Sequence, residues 1–289
     1  MPISTIVKRN LADTGTLRVL THNIYGQSAN WAARRQVLVD GIRELAPDLI
    51  ALQETIRTDD YDQVVELLGA AYHILHSRQR APNGIGISIA SRWPLGEVHE
   101  LDLHLTPRTA DFPCTTLLAE VQAPQPFGPV LLVNHFPNWQ LDYEYEREVQ
   151  TVLAARRIEE LLAQRNRHVV LVGDLDAEPD AASVRFLAGK QSLDGMSVCY
   201  RNAWDSRHPG EAGHTFTAQN QLVAQANWDW PFQRIDHIFV RCGRHGGPTL
   251  RIAACELAFN EPIEGIWASD HFGLVADLVV PQGSTERQA

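Results

Sequence analysis

Short apolar runs recur along nearly the whole chain, and many are apolar at successive positions rather than at alternate ones. LRVLTHNI (17–24), DLIALQE (48–54), YHILHS (72–77), GIGISIAS (84–91) and TTLLAEVQA (115–123) come first. PVLLVNHF (129–136), HVVLVGDLD (168–176), RIDHIFVRC (234–242), LRIAACELAF (250–259) and FGLVADLVV (272–280) follow. A strand with one wet face alternates apolar and polar residues, whereas one apolar on both faces is covered on both. Helical periodicity is confined to 31–45, 61–68 and 141–164, with a further short helix at 181–188. In 141–164, Val149, Val152, Leu153, Ile158, Leu161 and Leu162 line one side. Strands alternate with helices early, and the middle reads as a meander. The pattern predicts an α/β fold of four layers, an αββα sandwich of two packed, mainly antiparallel sheets flanked by helices. No internal repeat or Ser/Gly/Pro linker divides the 289 residues, so a single domain over 1–289 is expected, with its core at about 17–280. Residues 206–233 carry no clear regular pattern, and a loop of that length tends to be functional or mobile.

Charge narrows the partners. The chain has 35 acidic and 25 basic side chains, a formal charge of −10, and no run of Lys or Arg longer than a pair. Proteins that grip a nucleic-acid backbone usually show a basic excess or stripe. Long duplex DNA is therefore not expected, and a phosphorylated small molecule or lipid headgroup is. Cys114, Cys199, Cys242 and Cys255 are far apart and form no CxxC pair, which points to free, mostly buried thiols in a reducing compartment. MPISTIVKRNLADTG lacks the apolar stretch of a signal peptide, and no run is long enough to span a membrane. A cytoplasmic location is expected.

The residues that bear on chemistry sit at strand ends. In HVVLVGDLDAEPD, alternation along the strand places Asp174 and Asp176 on one side, where two carboxylates repel unless a cation or proton lies between them. LQET ends an apolar strand with Glu54, and THNIYG ends the first strand with Asn23. Carboxylates together with an amide oxygen suit hard cations such as Mg²⁺ or Mn²⁺. VNHFPNW puts His135 at a strand end, and WASDHFG puts Asp270 and His271 just ahead of the last strand. A carboxylate such as Asp236 that accepts from an imidazole fixes its tautomer and raises its basicity. By the same alternation His22 and His237 point away from their neighbours Asn23 and Asp236. Trp228, Trp230 and Phe232 precede Asp236 and are candidates for an apolar pocket wall.

Taken in order, Asn23, Glu54, His135, Asp174 with Asp176, Asp236, and Asp270 with His271 resemble the endonuclease/exonuclease/phosphatase superfamily. The resemblance runs from about Leu17 to Val280 and includes NGIGISIASRWPL (83–95), which resembles the family's strand leading into a Ser-Arg turn. It implies that Asn23, Glu54 and Asp270 hold a divalent ion, Mg²⁺ or Mn²⁺, and that Asp174 positions the attacking water. It further implies that His271, oriented by Asp236, contacts the phosphoryl group. His135 resembles the histidine of the deoxyribonuclease and sphingomyelinase branches, where abasic-site nucleases have a tyrosine, and this disfavours DNA repair. One position departs from the pattern: the family's GDFN is GDLD here, so an amide becomes Asp176. An amide can donate to a phosphate oxygen, whereas an ionised carboxylate only accepts. The implied activity is metal-dependent hydrolysis of a phosphate ester by in-line water attack. The alternatives are a nuclease acting on short or single-stranded nucleic acid, and a catalytically silent binding module on the same fold.

Overall fold

The computed structural model describes residues 15–226, 228, 230, 232–243 and 246–281. The N-terminal segment weighed above as a leader lies outside these residues. The strands of the first sheet are β1 (Leu17–Asn23), β2 (Leu49–Ile56), β3 (His73–His76), β4 (Ile85–Ser91), β13 (Arg251–Ala258) and β14 (Gly273–Val279). The second contains β5 (Leu95–Asp102), β6 (Thr115–Gln122), β7 (Pro129–Phe136), β8 (His168–Asp174), β9 (Tyr200–Asn202) and β12 (Asp236–Arg241). A two-stranded ribbon of β10 (Phe216–Thr217) and β11 (Phe232–Gln233) stands apart. The helices are α1 (Trp31–Leu45), α2 (Gln63–Leu68), α3 (Glu144–Gln164), α4 (Ala182–Leu187), α5 (Ala203–Arg207) and α6 (Gln221–Gln225).

The sheet orders are β13-β14-β1-β2-β4-β3 and β5-β6-β7-β8-β12-β9. Each contains a single parallel pair, β1 with β2 and β7 with β8, and every other pairing is antiparallel. A parallel pair needs a crossover, and α1 and α3 provide them. Alternation sorts the apolar residues into three layers. Val19, Ala51, Leu132, Val172 and Ile238 fill the space between the sheets. Leu20, Ile50 and Leu52 face α1 and α2, whereas Leu131, Val133 and Leu171 face α3 and α4. This is the αββα sandwich.

Parallel β1 and β2 end at the same edge as β8, and antiparallel β12 and β14 begin there. Strand ends from both sheets therefore meet at one rim. Gly173 makes the close approach possible: its φ is +148°, and a Cβ there would lie 2.0 Å from the His135 carbonyl oxygen. Residues 206–233 include β10, α6 and β11, elements too short to leave a periodic signature. The apolar pattern misses both edge strands of the second sheet: β5, with the sequence LGEVHELD, pairs only through β6, and β9 is three residues long and pairs only through β12. The thiols are all free, with Cys199 exposed and the other three buried.

Candidate active site

Alternation in β1 turns Val19, Thr21 and Asn23 toward the second sheet. The Asn23 amide then bridges the two sheets, its Nδ2 donating to Glu54 Oε1 at 3.0 Å and to Asp174 Oδ2 at 2.9 Å. Its Oδ1 accepts from the Tyr25 N–H at 3.0 Å. Asn23 thus clamps two carboxylates, and its amide oxygen, the atom expected to face a metal, is engaged with backbone.

Glu54 reaches the site against simple alternation. Ala51 and Gln53 face the opposite sheet, so a regular strand would turn Glu54 toward the helices. The pairing of β2 with β4 slips between Leu52 and Thr55, and Glu54 adopts φ +55°. A left-handed backbone at a residue with a side chain costs about 1–3 kcal/mol and tends to occur where function requires it. Asp176 shows the same device, with φ +48°. The regular strand ends at Asp174, so the bend after it, rather than continued alternation, carries Asp176 to the pocket. The Asp176 N–H donates back to Asp174 Oδ1 at 3.2 Å.

Asp236 opens β12 directly opposite Asp174. Its Oδ2 accepts from His271 Nδ1 at 2.9 Å, and His271 Nε2 lies 3.8 Å from Asp174 Oδ2. Ser269 Oγ donates to the Asn23 carbonyl at 2.7 Å, and Asn220 Nδ2 donates to the carbonyls of Ser269 and Asp270 at 2.7 and 3.1 Å. The turn before β14 is thereby fixed against the end of β1. Asn23 and His271 are distant in sequence but reach the same Asp174 carboxylate.

Burial dominates the electrostatics. It pushes the carboxyl groups of Glu54, Asp174 and Asp270 above their ordinary range, and that of Asp176 up to about 7. Asp270 adds to the push on Glu54, and Asp176 to that on Asp174. Burial would lower the His271 imidazole, but Asp236 and Asp174 overcome it and hold the ring well above its usual value as an imidazolium. These groups line a cavity of about 470 Å³ together with Tyr25, Phe112, Phe136, Trp139, Phe216 and Trp228.

His135 is not brought to this cavity. It lies on β7 between inward-facing Asn134 and Phe136, so its ring enters the α3 layer. There it meets Thr116 Oγ1 at 2.7 Å and Thr151 Oγ1 at 3.3 Å, with no exposure to solvent. The argument from His135 against DNA repair loses its ground. His22 and His237 also point away, His22 stacking on Phe259 and His237 donating from Nε2 to the Ala177 carbonyl while its Nδ1 accepts from Asn202 Nδ2. Trp228 and Trp230 line the cavity as an apolar wall, whereas Phe232 packs beside His214.

A model described as the endonuclease/exonuclease/phosphatase family matches residues 20–271. The chain belongs to that family. Solved structures with the same fold include truncated Caenorhabditis elegans TDP2, at 17% identity and TM-score 0.71, covering 92% of this chain and 98% of that one. D. rerio TDP2 complexed with single strand DNA product gives 20% identity, TM-score 0.71, and 91% and 98% coverage. The endonuclease/exonuclease/phosphatase from Bacteroides vulgatus gives 16%, 0.69, and 92% and 99%. At these identities the likeness is one of fold. No curated protein matches the sequence.

The donor set of this endonuclease/exonuclease/phosphatase chain fits the divalent ion on which the family typically depends. Carboxylates from buried Asp174 and half-buried Glu54, Asp176 and Asp270 face one imidazolium, and hard oxygen donors crowded in this way are stabilised by a divalent cation. Asp174, Asp236 and His271 also offer ligand atoms within 4.8 Å of one another, and the buried Asp236 Oδ1 lacks a hydrogen-bond partner. Two supporting residues escaped the sequence reading. Arg34 is 2% exposed and donates to the carbonyls of Ile24, Tyr25, Gly26, Ser28 and Ala268, tying the loop after β1 to the turn before Asp270. Thr215 Oγ1 accepts from the N–H groups of Ile235 and Asp236. An arginine in an amphipathic helix and a threonine in an unpatterned loop carry no signal of such roles.

Proposed function

We propose that the chain is a divalent-metal-dependent phosphoesterase that hydrolyses a phosphate ester of a small molecule or lipid headgroup by in-line attack of water. The observation that carries this reading is the relay Asp236–His271–Asp174 beside the Asn23–Glu54 clamp, all at one rim. Glu54 and Asp270 would hold Mg²⁺ or Mn²⁺, with Asn23 fixing Glu54 in place. Bound there, the ion would polarise a phosphoryl oxygen and offset charge building in the transition state. Asp174 orients the attacking water through the oxygen not engaged by Asp176. His271 is anchored at Nδ1 by Asp236 and presents Nε2–H to the phosphoryl group or the departing oxygen. The intact constellation favours an enzyme over a silent binding module. The free thiols support a reducing compartment such as the cytoplasm.

A nuclease is the second reading, and a neighbour of the same fold complexed with single strand DNA product favours it. Against that neighbour, the acidic charge balance does not by itself exclude DNA, single-stranded or duplex. The test is a panel with Mg²⁺ or Mn²⁺: bis(4-nitrophenyl) phosphate, 4-nitrophenyl phosphate, and single-stranded and duplex oligonucleotides. Hydrolysis of the small esters with oligonucleotides left intact supports the first reading, cleavage of oligonucleotides supports the second, and turnover of none defeats both.

A further inference from the structure

Two of the four thiols are brought together by the fold, at the end of β12 away from Asp236. The register of β12 with β9 runs through Phe239 opposite Asn202, Val240 opposite Arg201 and Arg241 opposite Tyr200. One step further Cys242 stands across from Cys199, and its N–H donates to the Cys199 carbonyl at 2.9 Å. Residues facing each other across an antiparallel pair have Cα atoms about 4.5–5.5 Å apart, inside the span of about 4.4–6.8 Å that a disulfide bridges. Both cysteines line a second cavity, of about 440 Å³, beside the ion pair of Arg241 with Glu159.

The two thiols differ in access. Cys199 is exposed, whereas Cys242 keeps only 8% of its surface. Burial, then the neighbouring Cys199 thiol, pushes the Cys242 thiol up to about 11, with the Arg201 and Arg241 charges acting the other way. Cys114 and Cys255 have no exposed surface, and burial pushes both thiols up, that of Cys114 to about 12. An open thiol beside a covered one is the arrangement in which the first reacts and the second resolves it.

We propose that Cys199 and Cys242 form a redox modification site, a dithiol that a low-molecular-weight disulfide converts reversibly into a disulfide between β9 and β12. Cys199 gives up its proton and attacks one sulfur of the reagent, whose S–S bond breaks; a mixed disulfide forms on Cys199 and one thiolate leaves. Cys242 then gives up its proton and attacks the Cys199 sulfur, expelling the second thiolate. The two thiolates take up the two protons, so two electrons and two protons pass from the chain to the reagent. The link closes a loop over 199–242 that contains β10, α6 and β11, and with them Phe216, Trp228 and Ile235 of the active-site cavity. Closing so long a loop lowers the entropy of the unfolded chain and so stabilises the folded one. A reducing compartment keeps the pair open until the disulfide reagent accumulates.

The test incubates the full, folded, reduced chain with glutathione disulfide at about pH 8, followed by intact-mass measurement, peptide mapping and thermal melting. Wild type is expected to lose about 2 Da without retaining glutathione, to yield a peptide joining Cys199 to Cys242, and to regain both thiols in dithiothreitol. Oxidation is expected to raise the melting temperature by about 5 °C or more. Cys242→Ser should stop at a glutathione adduct on Cys199, and Cys199→Ser should stay unmodified. Wild type that keeps all four thiols free, a glutathione adduct that persists on its Cys199, a link through Cys114 or Cys255, or a link that leaves melting unchanged would overturn the proposal.

Discussion

His135→Ala separates a folding role from a chemical one. The ring is fully buried and bonds to Thr116 and Thr151. Its removal forfeits two hydrogen bonds of about 1 kcal/mol each and leaves a cavity costing roughly 1–2 kcal/mol more. A loss of about 3–4 kcal/mol lowers the melting temperature by roughly 6–16 °C at about 2–4 °C per kcal/mol. There is also a pH signature. Burial depresses the His135 imidazole from 6.5 to about 3. Between those values the unfolded chain binds a proton that the folded chain does not. The stability His135 contributes is therefore complete above pH 6.5 and is lost as pH falls toward 3. At pH 5 the loss is about 2 kcal/mol. Urea titrations at pH 7.5 and 5 should show the gap between wild type and His135→Ala narrowing by about that amount, while turnover of bis(4-nitrophenyl) phosphate at 15 °C stays within about threefold. A loss of turnover of about a hundredfold or more with an unchanged urea midpoint would place His135 in the chemistry and refute this account.

Gly173→Ala should fail to fold or lose more than about 4 kcal/mol, because the added methyl meets the His135 carbonyl in the middle of a sheet; near-wild-type melting would contradict the close approach. Asp236→Asn should lower kcat by about 10²–10⁴ with little change in circular dichroism, since the His271 imidazolium loses its partner, and a decrease under threefold would count against the relay. Arg34→Lys retains the charge but cannot reach the carbonyls of Ile24, Tyr25, Gly26, Ser28 and Ala268 together; a loss of about 2–4 kcal/mol in urea melts with a concurrent drop in kcat is expected.

The layered fold was legible because strands apolar on both faces leave few ways to be covered. Polar β5 was not, since an edge strand has little apolar surface to bury. Alternation turns Asn23, Asp174 and Asp236 toward the shared rim and, applied equally to β7, turns His135 outward. Alternation would have turned Glu54 away, and it put Asp176 beside Asp174 by a regular strand that does not continue; both arrive through left-handed residues, at a slipped register and a strand end. Those departures from regular geometry are set by tertiary packing, and no local residue pattern encodes them. The aromatic wall of the cavity was half visible: Trp228 was a candidate, but Trp139 comes from a distant segment and Phe216 from the unpatterned part of 206–233.

Mn²⁺ binding and turnover measured on the same samples of wild type and Glu54→Gln test the central claim most directly. The substitution keeps shape and removes charge at the carboxylate clamped by Asn23. Wild type should bind Mn²⁺ by electron paramagnetic resonance titration, hydrolyse bis(4-nitrophenyl) phosphate, lose activity in chelator and regain it with Mg²⁺ or Mn²⁺. Glu54→Gln should bind the ion about a hundredfold more weakly and lose turnover with it. Full turnover in chelator, or a Glu54→Gln protein that binds and hydrolyses as wild type does, would contradict a metal-dependent phosphoesterase centred on this site.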